Sequence, residues 1–169
     1  MTRYLLDRNV LAELEDPHGD ERVHAWADTV NDTDLFLCTI TIYEAQKGFA
    51  RQRRRRLSQQ QAVDLAADEE AFHEIRKAYA RRILPVGEPE ALAWAEVVGA
   101  KEKNVMDRAL VAVARVNRLV LVTRDLKDMR GLGVRLLVPF ADSPRIEEPA
   151  PAIASQSKES GSGVGSVLI

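Results

Sequence analysis

The sequence predicts an α/β fold in which a mostly parallel β-sheet is covered by helices on both faces. Short apolar runs alternate with helical patterns along the chain, which is typical of a parallel sheet. The runs are almost continuously apolar, as strands buried on both faces require. The chain has 169 residues, 46% of them hydrophobic and 30% charged, which suits one domain with a buried core.

Four short runs with β-branched and aromatic content have the pattern of strands. They cover residues 3–7, 35–41, 119–123 and 134–138. Apolar residues at helical spacing predict helices between these runs. The predicted helices cover 20–30, 60–82, 89–100 and 105–117, and another begins directly after Asp7.

The predicted domain covers residues 1–140, and residues 141–169 are predicted to be a flexible tail. From Ala141 onward Pro, Ser, Gly, Glu and Lys predominate, and such a composition buries too little surface to offset the entropy of ordering. No apolar run approaches the ~20 residues of a membrane span, and the N-terminus lacks a signal-peptide pattern. We therefore expect a cytoplasmic protein.

Acidic residues follow the predicted strands. Asp7 ends the first run, the second continues into Glu44, and Asp125 closes the third. The carboxyl ends of parallel strands share one edge, where open α/β folds bind ligands. Asp107 opens the helix before the strand at 119–123. Because that helix runs antiparallel to its strand, Asp107 is expected at the same edge.

The acids also allow a purely structural interpretation. Thr41 and Glu44 have the spacing of a capping box, and Asn104 and Asp107 have a looser version of it. Both acids could therefore serve only to satisfy free N–H groups and the helix dipole. Capping does not explain why the other two acids end strands at that edge, and the two interpretations are compatible.

A cluster of four carboxylates requires a counterion or protonation, because the charges repel one another. A divalent cation removes the repulsion, and an all-oxygen ligand set favours Mg²⁺ or Mn²⁺ over Zn²⁺. Acidic sites that hold Mg²⁺ commonly act on phosphates, where the metal activates a water. Hydrolysis of phosphodiesters is the chemistry that this pattern favours.

A basic stretch supports a polyanionic substrate. Residues 51–56 contain five arginines. If the helix that begins near Glu44 continues to residue 56, then Lys47, Arg51 and Arg55 lie on the face of Glu44. These cations could guide a polyanion to the acids. The alternatives are a solvated helix or a contact for an acidic partner protein.

Four segments in this order resemble a PIN domain, specifically the VapC/FitB-like toxins of type II toxin–antitoxin systems. The resemblance covers about residues 3–140. The segments are LLDRNVLAEL, TITIYEAQKGFAR, MDRALVAVA and LVTRDLKDMRGLGVRLLVPF.

The resemblance implies a PIN-like three-layer α/β/α sandwich with a central mostly parallel sheet. It also implies an Mg²⁺-dependent endoribonuclease, usually dimeric, that a cognate antitoxin inhibits. The family's acidic quartet falls on Asp7, Glu44, Asp107 and Asp125. We expect Asp7 and Asp107 to be the direct metal ligands and the other two acids to act through water. Asn9 and Thr123 match polar family positions and are expected to orient these groups.

Two positions depart from the family pattern. Arg8 replaces the usual Thr or Ser, and Met129 replaces a common aromatic residue. Side chains alternate along a strand, so we expect Arg8 to point away from Asp7 and Met129 to fill an apolar gap. The alternative function is a catalytically weak module that binds RNA or a partner protein. A phosphatase that forms an aspartyl phosphate is disfavoured, because Asn9 occupies the place of its second Asp.

Overall fold

The computed structural model of the chain describes residues 1–98 and 104–149. Its strands are β1 (Tyr4–Leu6), β2 (Leu35–Cys38), β3 (Ile83–Leu84), β4 (Val120–Val122), β5 (Arg135–Leu137) and β6 (Ile146–Glu147). Its helices are α1 (Arg8–Glu15), α2 (Glu21–Ala27), α3 (Thr39–Arg53), α4 (Gln59–Ala78), α5 (Glu88–Val98) and α6 (Val105–Val116). Within the described ranges, none of these helices has both the length and the apolar character to span a bilayer.

The strands form one sheet in the order β3-β2-β1-β4-β5-β6. Every neighbouring pair is parallel except β5 and β6, which are antiparallel. From β1 the chain moves to one side through β2 and β3, and it then returns to the other side of β1 with β4. The strand order therefore reverses between β1 and β4, and ligands of open α/β sheets bind outside the carboxyl ends at such a point.

Helices cover both faces of the sheet. Leu5 and Leu121 are fully buried on one face with side chains of α5 and α6. Leu6 and Val122 are fully buried on the other face with side chains of α1, α2, α3 and α4. Neighbouring residues of a strand point to opposite faces, which explains why the strand sequences are apolar at every position. The predicted three-layer sandwich is confirmed.

The second strand is shorter than predicted. It ends at Cys38 and α3 begins at Thr39, so Glu44 lies in the second turn of a helix and does not follow a strand. The β-branched run at 39–42 suggested a strand, but the contacts of these residues in the folded chain stabilise a helix. The buried hydroxyl of Thr41 donates to the carbonyl of Leu6 at 3.2 Å, and tertiary packing of this kind overrides intrinsic strand preference.

The sheet extends beyond the predicted boundary at residue 140. β6 lies in the segment that was predicted to be a flexible tail, and it pairs with β5. The Glu147 carboxylate also accepts two hydrogen bonds from the Arg130 guanidinium, at 2.9 and 2.7 Å. A strand of two residues leaves no periodic pattern in the sequence, which is also why β3 was not predicted. Residues 150–169 of the predicted tail lie outside the described residues.

Truncation of Leu121 should test the two-sided core. Leu121 is 0% exposed and Leu92, on the surface of α5, is 63% exposed. We expect Leu121→Ala to lower the free energy of unfolding by about 2–5 kcal/mol, because it leaves a cavity between the central strands and α6. Leu92→Ala, the same change at the surface, should stay within about 0.5 kcal/mol of wild type. Urea unfolding measures both, and equal losses would contradict this description of the core.

Candidate active site

Asp7 lies where β1 ends and α1 begins. Its side chain is 6% exposed, and three hydrogen bonds hold the carboxylate. Oδ1 accepts from the backbone N–H of Arg8 at 2.6 Å. Oδ2 accepts from Asn9 Nδ2 at 2.9 Å and from Thr123 Oγ1 at 2.7 Å. Asp7 therefore caps α1, yet lone pairs of its oxygens are still free for a further ligand.

Thr123 and Asn9 connect Asp7 to the segment after β4. The hydroxyl of Thr123, which is fully buried, also accepts from the N–H of Asp125 at 3.1 Å. Asn9 Oδ1 accepts from the N–H of Arg124 at 3.2 Å. Asp125 Oδ1 in turn accepts from the N–H of Lys127 at 3.1 Å. The two acids that follow β1 and β4 are thus fixed relative to each other at the point where strand order reverses.

Glu44 and Asp107 reach the same place from helices. Glu44 is in the second turn of α3, and Asp107 is in the first turn of α6. Together with Asp7 and Asp125 they line an open depression of about 530 Å³. Its other lining residues are Arg8, Asn9, Ala12 and Met129. The structure therefore brings together the four acids that the sequence singled out.

The structural interpretation allowed both helical acids to act in capping boxes, and the structure does not form the box at Glu44. The N-cap of α3 is Cys38, three residues before Thr41, and Thr41 bonds to β1 instead. Asn104 does occupy the N-cap of α6, with a left-handed φ of 55°, but within the described part of the chain its side chain makes no capping hydrogen bond. Capping therefore does not account for the position of Glu44.

The acids raise one another's pKa. Burial is the main reason that the pKa of Asp7 is raised, and the charge of Asp125 raises it further. The hydrogen bonds to Asp7 act in the opposite direction. Burial, followed by the charges of Asp7 and Asp107, raises the pKa of Glu44. Burial, followed by Asp7, Asp125 and Asp128, raises the pKa of Asp107. Lys47 and Arg8 lower the pKa of Glu44, so they offset part of this negative charge. The site is still a predominantly negative cluster, in which a cation would favour the ionised forms.

Asp128 is an acid whose influence the sequence analysis missed. It lies in the turn after β4, and its charge raises the pKa of Asp107. Its spacing of three residues from Asp125 could have indicated this proximity, because residues at the two ends of a tight turn are close in space.

Arg8 is the first residue of α1, so strand alternation was the wrong reason for its direction. Its guanidinium pairs with Glu15 at 3.1 Å and lies 5.9 Å from the centre of the Phe72 ring. Among the described residues, it forms no ion pair with any of the four clustered acids. Met129 is 1% exposed and fills the apolar gap that was predicted for it.

The predicted basic face of α3 is only partly formed. Lys47 is near the acids, because its charge lowers the pKa of Glu44, and its Nζ lies 5.6 Å from the centre of the Tyr43 ring. Arg51 is in the last turn of α3. The helix ends at Arg53, so Arg55 lies beyond it and lines a different depression, between α3 and α4. The prediction that Arg55 shares the face of Glu44 is wrong.

The cluster suits a hydrated cation. Within residues 1–98 and 104–149, no group of three or more His, Cys, Asp or Glu side chains is arranged as a ready-made metal site. The donors are all carboxylate oxygens around a depression that is open to water. Mg²⁺ keeps several waters and commonly takes only one or two carboxylates directly. The residues present therefore fit Mg²⁺ and do not fit a fully dehydrated ion.

Comparison with known proteins assigns the family. The family model described as PIN domain matches residues 4–131, a range that contains all four acids. The chain belongs to the PIN-domain family. Toxin FitB from Neisseria gonorrhoeae is 31% identical to this PIN domain over 143 residues, which cover 82% of this chain and 99% of FitB.

Solved structures agree with that assignment. The crystal structure of FitAcB from Neisseria gonorrhoeae contains a chain that is 30% identical, with a TM-score of 0.67 and coverage of 81% of this chain and 98% of that one. In the structure of FitAB bound to an IR36 DNA fragment, a chain is 29% identical with the same TM-score of 0.67, covering 82% and 96%. This PIN domain is therefore similar to FitB in sequence and in fold.

The raised pKa values predict how the metal-free protein responds to pH. An acid whose pKa is raised by folding holds its proton to a higher pH in the folded state than in the unfolded state. Its contribution to the free energy of unfolding is complete below the pKa of the unfolded state, and it is lost as the pH rises through the pKa of the folded state. Asp107→Asn removes one such group, so the variant should melt above wild type at neutral pH. The difference should vanish below the ordinary value of 3.8.

Thermal melts in EDTA from roughly pH 3 to pH 8 measure this difference. Glu148→Gln, at an exposed acid just after β6, is the control and should follow wild type. A variant that is less stable than wild type at neutral pH would show that the acids do not repel one another.

Proposed function

We propose that this PIN domain is an Mg²⁺-dependent endoribonuclease and the toxin of a type II toxin–antitoxin pair. The observation that carries the proposal is the convergence of four acids around the buried Asp7 at the strand-order reversal. The raised pKa values of Asp7, Glu44 and Asp107 indicate a site in which negative charge predominates. Hydrolysis of an RNA phosphodiester is the reaction that such a site supports best.

The residues divide into ligands and orienting groups. Asp7 and Asp107 would hold the cation directly, and Glu44 and Asp125 would hold it through water. When bound, Mg²⁺ supplies a Lewis acid that neutralises charge on the phosphodiester and makes water a better nucleophile. Thr123 and Asn9 keep the Asp7 carboxylate in one orientation through their hydrogen bonds. The free oxygens of Glu44 and Asp125 accept hydrogen bonds from the attacking water.

Cations on α3 support an RNA substrate. Lys47, close to Glu44, and Arg51, one turn further along the helix, would contact phosphates on this side of the acids. Arg55 lies past the end of α3, so its position gives no support for such a contact. Its proposed contact with RNA therefore depends only on its charge.

The relatives support the partner proposals. The similar protein from Neisseria gonorrhoeae is a toxin, FitB, and the similar solved structures are of FitAcB and FitAB. From the resemblance to the toxin family, we infer that this chain forms a homodimer and is inhibited by a cognate antitoxin in the cytoplasm. The alternative, a binding module with weak catalysis, is favoured by the charge of Arg8, which lines the depression of the four acids and acts on Glu44.

Removal of one carboxylate from the four acids should abolish cleavage of RNA. Purified protein should cut single-stranded RNA with Mg²⁺ or Mn²⁺ and not in EDTA. Glu44→Gln and Asp107→Asn should each lower kcat by about 100-fold or more, because each loses a charged oxygen around the metal. Gel analysis of labelled RNA measures cleavage. Circular dichroism confirms that the variants are folded, and Glu148→Gln is the matched control. Undiminished cleavage in EDTA, or by both variants, would overturn the proposal.

Replacement of Arg8 should leave metal binding almost unchanged. Because the guanidinium is engaged by Glu15 and Phe72, Arg8→Thr should change Mn²⁺ affinity by less than about tenfold, or ~1.4 kcal/mol. The variant should be less stable, since the half-buried Glu15 loses its cation and its Oε1 already lacks a hydrogen-bond partner among the described residues. Calorimetric titration with Mn²⁺ and a thermal melt separate these effects. If only the Thr variant binds Mn²⁺ and cuts RNA, the native chain is the binding module.

A further inference from the structure

A second depression lies next to the four acids and shares Asp125 with them. It has a volume of about 770 Å³, within the range of small-molecule sites. On one side it is lined by the segment after β4, with Arg124, Leu126 and Lys127. On the other side it is lined by the segment that leads into β6, with Arg145 and Ile146. We call it the β6 pocket.

The antiparallel direction of β6 explains why this pocket lies beside the acids. Ile146, the first residue of β6, pairs with Leu137, the last residue of β5. The residues just before β6 therefore lie at the carboxyl edge of the parallel strands, as the acids do. The two hydrogen bonds between Arg130 and Glu147 attach β6 to the turn that follows Asp125. The two walls of the pocket are thus held in a fixed position relative to each other.

The cations of this region differ in their partners. Arg124 forms an ion pair with Glu13 and lies 4.2 Å from the centre of the Phe140 ring, and Arg130 is paired with Glu147. The side chains of Lys127 and Arg145 have no ion pair within the described ranges. These two exposed cations can therefore bind an anion without breaking an existing contact.

The walls between these cations are aliphatic. Leu126, Val138 and Ile146 all line the pocket and are partly buried. A nucleotide combines the two features that such a pocket would recognise, an anionic phosphate and a flat apolar face. RNA and an acidic protein segment both carry negative charge, so charge does not distinguish them. Position favours RNA, because the pocket shares Asp125 with the depression where the phosphodiester would react.

We propose that the β6 pocket binds the nucleotide next to the cleaved phosphodiester. Lys127 and Arg145 contact its phosphate, and Leu126 and Ile146 pack against its base. This inference rests on the proposed ribonuclease function. The match to the PIN family ends at residue 131, so the wall formed by Arg145 and Ile146 lies outside it.

Binding of RNA tests the pocket separately from catalysis. In an Asp107→Asn background, which prevents cleavage, a fluorescein-labelled single-stranded RNA of about 12 nucleotides is titrated and its anisotropy followed at several salt concentrations. Adding Lys127→Ala and Arg145→Ala should weaken binding about tenfold. The slope of log Kd against log salt should fall by about 1.4, since each lost phosphate contact on a single strand contributes about 0.7.

Matched variants separate the effect of the pocket from the effect of positive charge elsewhere on the surface. Arg81→Ala removes an exposed cation from the turn before β3, at the opposite edge of the sheet, and should leave affinity and slope unchanged. Lys127→Arg with Arg145→Lys keeps both charges and should bind as well as the parent. With the active protein, the double alanine variant should raise KM and leave kcat within about twofold of wild type, as loss of uniform substrate binding predicts.

The outcomes are distinguishable. Weaker binding and a lower slope for the double alanine variant, with an unchanged Arg81→Ala control, support the pocket. If wild type cuts RNA but the double variant binds and cuts as wild type does, the pocket is overturned and the ribonuclease stands. The same result would leave a partner protein as the occupant. Absence of RNA cleavage by wild type with Mn²⁺ would overturn the proposed function and the pocket with it.

Discussion

The hydrogen bond from Thr123 to Asp7 joins the two central strands of the sheet at the point where strand order reverses. It is 2.7 Å long and links residues that are 116 positions apart in the sequence. The N–H of Asp7 also donates to the carbonyl of Val122, at 3.0 Å, so the β1–β4 ladder continues into the site. The position of the central carboxylate therefore depends on correct pairing of β1 with β4, and every other group of the site is placed relative to it.

Burial of that carboxylate has an electrostatic cost. The hydrogen bonds from Arg8, Asn9 and Thr123 offset part of it, because they favour the charged form of Asp7. The nearby acids act in the opposite direction, and no described cation pairs directly with any of them. The folded chain thus maintains an arrangement that is unfavourable in isolation, which is common where stability is given up for chemistry.

The sequence predicted the candidate site better than it predicted the details of the elements. Strand ends and helix direction were sufficient for Asp7, Asp107 and Asp125, since these follow from the rules of parallel sheets. Glu44 was selected for the wrong reason, because β-branched residues at 39–42 imitate a strand that tertiary contacts convert into the first turn of α3. Arg55 was misplaced because nothing in a run of arginines shows where a helix ends.

Features that depend on few residues or on distant partners could not be read from the sequence. β3 and β6 have two residues each, which is too short for a periodic signal. The bidentate contact that attaches β6 to the rest of the domain joins Arg130 to Glu147, and no local rule pairs these two among the many charged residues of the chain. The position of Arg8 was also out of reach of local rules, because its guanidinium is held by Glu15 two turns along α1 and by Phe72 of α4. Arg8 still lines the depression of the four acids, and its charge lowers the pKa of Glu44.

The two short outer strands also restrict how copies of this chain can associate. In the described part of the chain, the sheet is bounded on one side by β3 and on the other by β6. An outer strand of two residues offers too few free backbone groups to recruit a strand from another molecule. Within the described residues, self-association by continuation of the sheet is therefore unfavourable at both borders. Copies of this chain would have to meet through side chains on the outer surfaces of the helical layers.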